Sequence, residues 1–364
     1  MTPVRYLNLG TVSSARSQAV YHALAERMTD QTAEPILVTV SPDRPYACVG
    51  YHQVASREID RAYCESQGIL VGRRMVGGGA VYLDHDQIFW HLLLPTYHGT
   101  VETLYQDILK APIAAYRKMG ISAEHRPVND IVVGSRKIGG TGAAQLGQAT
   151  VIVGSILMDF DGKSMARILR VPSEKFRDKM VASLDEYMTT VRRELGEAAP
   201  SREEATGLLV REFCIALGQE VRDSHLTPQE WDGVQKYAHT LFDPDFVYKG
   251  ERGLIQAGVK IRADVHLFEG LHKAPGGLIR LIFRTRDGLI DDVALSGDFF
   301  VTPLDDGSID EFQRALVGKP NRDTMILEAA FQLLARVYIP GVTADDIRQA
   351  YLNAQLLEVA RLGS

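Results

Sequence analysis

Three consecutive glycines, Gly77, Gly78 and Gly79, stand between two apolar, β-branched runs in ILVGRRMVGGGAVYL, residues 69–83. Such flanks read as strands. Glycines between them let the backbone approach a ligand closely and present several N–H groups to a phosphate or carbonyl. Arg73 and Arg74, just upstream, can add positive charge to the same ligand, and Ala80 closes the loop before the next strand. The plain alternative is a flexible hairpin turn with two solvated arginines. The segment is not a Walker loop, because no GKS or GKT follows and a strand rather than a helix comes next.

Periodicity around this segment predicts an α+β fold. Ala19, Val20, Ala23, Leu24 and Met28 recur at helical spacing in 13–28, with Ser13 or Ser14 as N-cap. Residues 35–41 and 46–50 read as short strands, and 56–68 as one helix closed by Gly68. Residues 88–94 are apolar on both faces, so this strand belongs in the middle of a sheet. A helix over 103–119, a hairpin over 130–140 and a strand over 150–160 follow. Phe176, Met180, Leu184, Tyr187 and Val191 form an amphipathic stripe within 173–195. SREE (201–204) and TPQE (227–230) are capping boxes. The expected architecture is a mixed, largely antiparallel sheet with flanking helices.

A length of 364 residues is typical of two domains. The polar, turn-rich stretch 223–249 places the boundary so that 1–245 form one domain and 246–364 a small α+β second one. There Val259, Ile261, Ala263, Val265 and Leu267 alternate with polar residues as in a strand with one wet face. Arg286-Asp287-Gly288 marks a hairpin, and helical spacing occupies 309–316, 324–337 and 343–362.

Composition removes several function classes. No apolar run reaches membrane-spanning length, and the first residues lack the pattern of a secretory signal, so a cytoplasmic protein is expected with no membrane partner. A net charge of -6 argues against general nucleic-acid binding. Cys48, Cys64 and Cys214 are odd in number and lack CxxC spacing, which fits buried small residues better than disulfides or zinc. The histidines, His85, His91, His98 and His125 among them, show no metal-ligand spacing on a helix. Trp90 is expected in the core, and Arg192, Arg193, Lys175 and Arg177 on solvated helix faces.

The second chemical motif is VNDIVVGSRKIGGTGAA, residues 128–144. Lys137 beside Gly140, Thr141 and Gly142 is a fixed positive charge near exposed amides, suited to anionic oxygens on phosphate or on an acyl intermediate. Asn129 and Asp130 can hydrogen-bond a ligand or, for Asp130, hold a magnesium ion. Their plain alternative is a turn before a strand.

In this order, about sixty residues apart, the two motifs resemble the biotin/lipoate protein ligase superfamily, specifically lipoate-protein ligases. The resemblance falls on Arg73, Arg74, Gly77, Gly78, Gly79, Asp84, Asn129, Asp130 and Lys137 and covers most of 1–245. KAPGGLIR and SGDFF, between 273 and 300, look like the accessory C-terminal domain of such ligases. The implied fold is the class II biotin/lipoate ligase type. The implied chemistry is activation of lipoate by ATP and magnesium to lipoyl-AMP, with Lys137 at the carbonyl and phosphate oxygens. Transfer to a lysine of a lipoyl-domain acceptor follows: an E2 subunit, a glycine-cleavage H-type protein or a sulfur-oxidation lipoate-binding protein.

The chain departs from the pattern at Leu83 and Val153, where many members have His, and at Met75 and Val76, where Ser or Thr is common. KIGGTGAA looks closer to archaeal-type ligases and their relatives in sulfur-oxidising bacteria. Two other readings stand beside the ligase. An octanoyltransferase would need a cysteine nucleophile shortly before the lysine motif, and EHRPV (124–128) has none. A non-catalytic lipoate- or adenylate-binding protein would keep the same lysine and glycines.

Overall fold

The computed structural model describes residues 3–28, 34–95, 97–171, 174–249, 265–303 and 307–356. By packing, the chain divides into two compact units: Met1–Val49, Glu58–Met75 and Ala80–Val247 in the first, and Gly50–Arg57, Val76–Gly79 and Tyr248–Ser364 in the second. The division is therefore not a single cut in the sequence.

Strands of the first unit are β1 (Val4–Val12), β2 (Ile36–Pro42), β3 (Tyr46–Val49), β4 (Leu70–Arg73), β5 (Val81–Leu83), β6 (Gln87–Leu94), β7 (Glu124–Arg126), β8 (Asp130–Val133), β9 (Arg136–Leu146), β10 (Ala149–Leu157) and β11 (Val221–Asp223). Eight make one sheet in the order β11-β1-β2-β6-β10-β9-β8-β7. Only β11, β1 and β2 run parallel; every other pair is antiparallel. All eight residues of β6 are buried, as its double-sided apolarity requires. β3 lies between β4 and β5 in a separate three-stranded sheet, so the strands around the glycine loop do not pair with each other.

The helices are α1 (Ser14–Arg27), α2 (Ala55–Glu58), α3 (Arg61–Ser66), α4 (Val101–Ile108), α5 (Lys110–Lys118), α6 (Gly162–Ile168), α7 (Glu174–Tyr187), α8 (Val191–Leu195), α9 (Arg202–Leu217), α10 (Pro228–Phe242) and α11 (Pro244–Val247). Trp90, Ile152 and Ile156 of the sheet pack with Tyr105, Tyr116 and Phe213 of α4, α5 and α9 into the main core. α1 covers sheet residues from the other side, with Tyr21 against His91.

Three expectations need correction. The helix over 56–68 is two short helices, because Ile59 bridges to Leu169 and Asp60 caps a new helix through the Tyr63 N–H. The stripe over 173–195 faces inward only in part: Val191 is buried in the core and Met180 and Leu184 are half-buried. Phe176 and Tyr187 are 53% and 58% exposed, while Arg177 is buried and donates to the carbonyls of Ala166, Arg167 and Leu169. Carbonyls left unpaired at the end of α6 thus set the inward side of α7, and Arg177 is no solvated residue. Finally, 223–249 is largely helical: α10 opens with the Thr227–Glu230 capping box and packs along α1.

In the second unit β12 (Val265–Ala274), β13 (Gly277–Arg286), β14 (Leu289–Gly297) and β15 (Gln355–Leu356) form an antiparallel sheet ordered β14-β13-β12-β15. Asp287 and Gly288, at φ +51° and +77°, make the two-residue turn that a right-twisted hairpin favours. α12 (Ser308–Leu316), α13 (Asp323–Leu334) and α14 (Ala344–Leu352) cover it through Phe312, Ile326, Leu333 and Ile347. The last helix stops at Leu352, short of the expected 362. Val259, Ile261 and Ala263 lie outside the described residues, as do 357–364.

Candidate functional site

Lys137 is the second residue of β9, opposite β8. A register shift between Ile131 and Val132 sets Asp130 opposite Gly140 and Val132 opposite Lys137. The Lys137 Nζ lies 2.6 Å from Asp130 Oδ1, with the lysine side chain 32% exposed. A Cβ at Gly140 would stand 3.0 Å from that Nζ and 3.1 Å from Cε, so the lysine rests flat on the strand because residue 140 is glycine. Asp130 also meets Arg126 at 2.8 Å. Burial by itself would raise the Asp130 carboxyl, but the charges of Lys137 and Arg126 outweigh it and hold it below the usual range.

Backbone anchors fix this lysine. Its carbonyl accepts the Thr189 N–H at 2.8 Å. The buried Tyr116 hydroxyl donates to the carbonyl of Ile138 at 2.8 Å and accepts the Leu157 N–H at 3.1 Å, tying β9 to β10. Neither Tyr116 nor Thr189 was singled out from sequence, since a tyrosine on a helix and a threonine between helices carry no local sign of what they will meet.

Asn129 and Thr141 clasp each other. Thr141 Oγ1 donates to the Asn129 carbonyl at 2.7 Å, and the Asn129 amide donates to the Thr141 carbonyl. The Asn129 side chain, expected at a ligand, here holds the hairpin through its amide N–H. Gly142 follows on β9, opposite Val153 of β10. The structure therefore gathers Asn129, Asp130, Lys137, Gly140, Thr141 and Gly142 on one hairpin of the first unit.

Arg73 is 1% exposed, and its Nε donates to the carbonyls of Phe246 and Val247 at 3.1 and 3.0 Å. Its charge closes the C-terminal end of α11, a contact the sequence did not indicate. Arg74 is half-buried, with Nη1 3.3 Å from the Cys48 carbonyl. Next to it the Met75 N–H donates to His22 Nε2 at 3.1 Å, while His22 Nδ1 lies 3.0 Å from the Gln18 carbonyl. Burial pushes His22 down to about 3, so it is the neutral ring that holds the approach to the glycine loop. Ala80, half-buried, follows the loop ahead of β5.

The glycines themselves belong to the second unit. A Cβ on Gly77 would strike the Phe299 carbonyl at 2.6 Å, one on Gly50 the Gly78 carbonyl at 1.9 Å, and Gly78 has φ +93°. Close backbone approach therefore requires glycine at 77 and a left-handed conformation requires it at 78. Asp84 is buried in the first unit, where Oδ1 accepts from the Asp86 N–H at 3.1 Å and Gln87 Nε2 at 3.4 Å. It shapes the β5–β6 turn.

The donor set does not fit a resident magnesium ion. Asp130 is held by two cationic side chains and the Asn129 amide by Thr141. Among the described residues no cluster of three or more His, Cys, Asp or Glu could hold a metal. Cys48 and Cys64 are buried, and burial pushes the Cys48 thiol up and the Cys64 thiol up to about 11, the reverse of an activated nucleophile.

A mixed sheet between helices carries a lysine laid over a bare strand beside a clasped glycine-rich hairpin, an arrangement suited to an acyl-group ligase or transferase. The model for the lipoyl protein ligase A/B catalytic domain matches residues 13–214, and that for the bacterial lipoate protein ligase C-terminus matches 268–350. The chain belongs to the lipoyl protein ligase A/B family and is an enzyme of the ligase and lipoyltransferase class. Lipoate-protein ligase A subunit 1 of Thermoplasma acidophilum is 28% identical over 252 residues, 66% of this chain and 93% of that one. Octanoyltransferase LipM of Kyrpidia tusciae is also 28% identical, over 67% of this chain and 98% of that one. Among solved structures, the archaeal bi-partite lipoate protein ligase described with its E2 lipoyl domain, from T. acidophilum, aligns with TM-score 0.62 at 26% identity, covering 71% of this chain and all of that one. Among the described residues no helix is long and apolar enough to cross a membrane.

Proposed function

We propose that the protein activates lipoate with ATP, as its magnesium complex, to lipoyl-AMP and transfers the lipoyl group to a lysine of a lipoyl-domain protein. The observation that carries this reading is the Lys137 ammonium lying over Gly140, fixed by Asp130 and by both backbone anchors. A positive charge so placed stabilises the negative charge that develops when a carboxylate attacks the α-phosphorus and pyrophosphate leaves. The same charge then polarises the acyl carbonyl when the acceptor amine attacks and AMP leaves. Magnesium would travel on the phosphates, which suits a cation that keeps its waters and a site with no dedicated ligands. The named E2 lipoyl domain of the archaeal relative supports a lipoyl domain as acceptor.

The octanoyltransferase relative favours a second reading, acyl transfer through a cysteine thioester without ATP. The absence of cysteine from 124–128 and the raised thiols of Cys48 and Cys64 weigh against it. Incubation with ATP, magnesium and lipoate, followed by a lipoyl domain weighed as intact mass, separates the two. Pyrophosphate release and a lipoyl-sized gain, both absent in Lys137→Ala, support the ligase. An acyl gain from an octanoyl carrier protein without pyrophosphate would replace it with the transferase. Binding without either product would leave a non-catalytic binder.

A further inference from the structure

His91 is a buried polar group for which the activation chemistry has no use. It is 3% exposed in the central strand β6, and its Nδ1 is buried with no hydrogen-bond partner among the described residues. Burial pushes it down to about 3, so it is a neutral imidazole with one N–H and one lone pair. Leaving such a group unpaired beneath α1 is unfavourable unless something else meets it.

Strand register shows where that something would lie. His91 stands opposite Val38 on one side and Val153 on the other, and Val153 stands opposite Gly142. Directly opposed residues point to the same face of a sheet. Gly140, over which Lys137 rests, precedes Gly142 by two positions and shares that face. A path from the Lys137 ammonium across side-chain-free Gly140 and Gly142, past Val153 to His91, crosses two strand spacings, roughly 10 Å. That is the reach of an extended medium-chain acid with its carboxylate at the lysine. Tyr21, 4.9 Å from the His91 ring centre to centre, sits over the far end.

We infer that His91 is a specificity-determining residue that favours an acyl chain ending in a sulfur-bearing ring over a plain alkyl chain of similar length. The inference rests on the reading that Lys137 holds the carboxylate. A dithiolane sulfur accepts weakly from the imidazole N–H and packs well on the Tyr21 ring. Reduced to thiols, the same end can also donate to the ring's lone pair. An alkyl end offers neither, and it displaces any water that would satisfy the histidine.

Calorimetric titration of the full chain with lipoic acid and with octanoic acid, without ATP, tests this directly. In His91→Leu the preference for lipoic acid should fall about five-fold, the scale of one modest hydrogen bond. His91→Asn, which keeps a donor near the position of Nδ1, should recover part of it and covers the case in which the leucine variant fails to fold. Equal affinities for the two acids in wild type, or an unchanged ratio in both variants, would overturn the inference and leave the ligase reading intact. Binding of neither acid by wild type would overturn both.

Discussion

Lys137 Nζ and Asp130 Oδ1 meet at 2.6 Å across a hairpin that carries no side chain at Gly140. The pair fixes where the positive charge sits without burying it. Removing the charge should therefore harm chemistry far more than folding. Lys137→Ala is expected to slow pyrophosphate release by about two to three orders of magnitude. Its unfolding free energy should change by no more than about 1 kcal/mol, because the lysine is partly exposed and Asp130 keeps Arg126. Single-turnover assays and urea denaturation give the two numbers.

Gly140→Ala probes placement rather than charge. The added methyl would come within 3.0 to 3.1 Å of the lysine's outer atoms, and the lysine, being flexible, would lift away. A roughly ten-fold loss in kcat/KM, the scale of about 1.4 kcal/mol, is expected with a nearly unchanged Tm. A large fall in Tm with activity preserved would contradict this picture.

Arg73 and Arg74 are adjacent in sequence and should separate cleanly in experiment. Arg73→Ala leaves the carbonyls of Phe246 and Val247 without their buried cationic donor and should cost about 3 kcal/mol of stability. Arg74→Ala, at a half-buried side chain, should cost about 1 kcal/mol or less. Denaturant midpoints of the two variants, measured side by side, check the contrast.

Acid stability should carry two opposing contributions. Burial, with Asp86 adding to it, pushes the Asp84 carboxyl up to about 6 from its ordinary 3.8. Its stabilising effect is complete below the ordinary value and is lost as pH rises to 6. His22 and His91, pushed down by burial to about 3, behave oppositely: their contribution is present above 6.5 and is lost as pH falls towards 3. Asp84→Asn should then gain about 2 to 3 kcal/mol at neutral pH and lose stability more steeply between pH 6.5 and 4 than wild type. Melting curves across that range decide it.

Legibility followed the range of the forces involved. α1, β6, the β8–β9 and β13–β14 hairpins and both capping boxes were plain in the sequence, because helical spacing, double-sided apolarity and turn chemistry act between near neighbours. The break at Asp60 and the outward Phe176 were not, since each is set by a contact from another element: Leu169 against Ile59, and the end of α6 against Arg177. At the site, the glycine-rich hairpin and Lys137 could be recognised as chemistry-bearing. What Arg73 and Asn129 touch could not, for their partners lie 173 and 12 residues away and are backbone carbonyls, which leave no mark on composition.

The glycine loop packs with residues that follow it by more than two hundred positions, against the carbonyl of Phe299 and the side chain of Phe300. This chain cannot be cut after Val247 into two finished pieces. A polypeptide ending at Val247 would keep every letter of the loop while lacking what seats it, and a separately made partner would have to bring that seat in trans. Fusion of the two units into one gene product makes the loop's geometry independent of the concentration of any second chain.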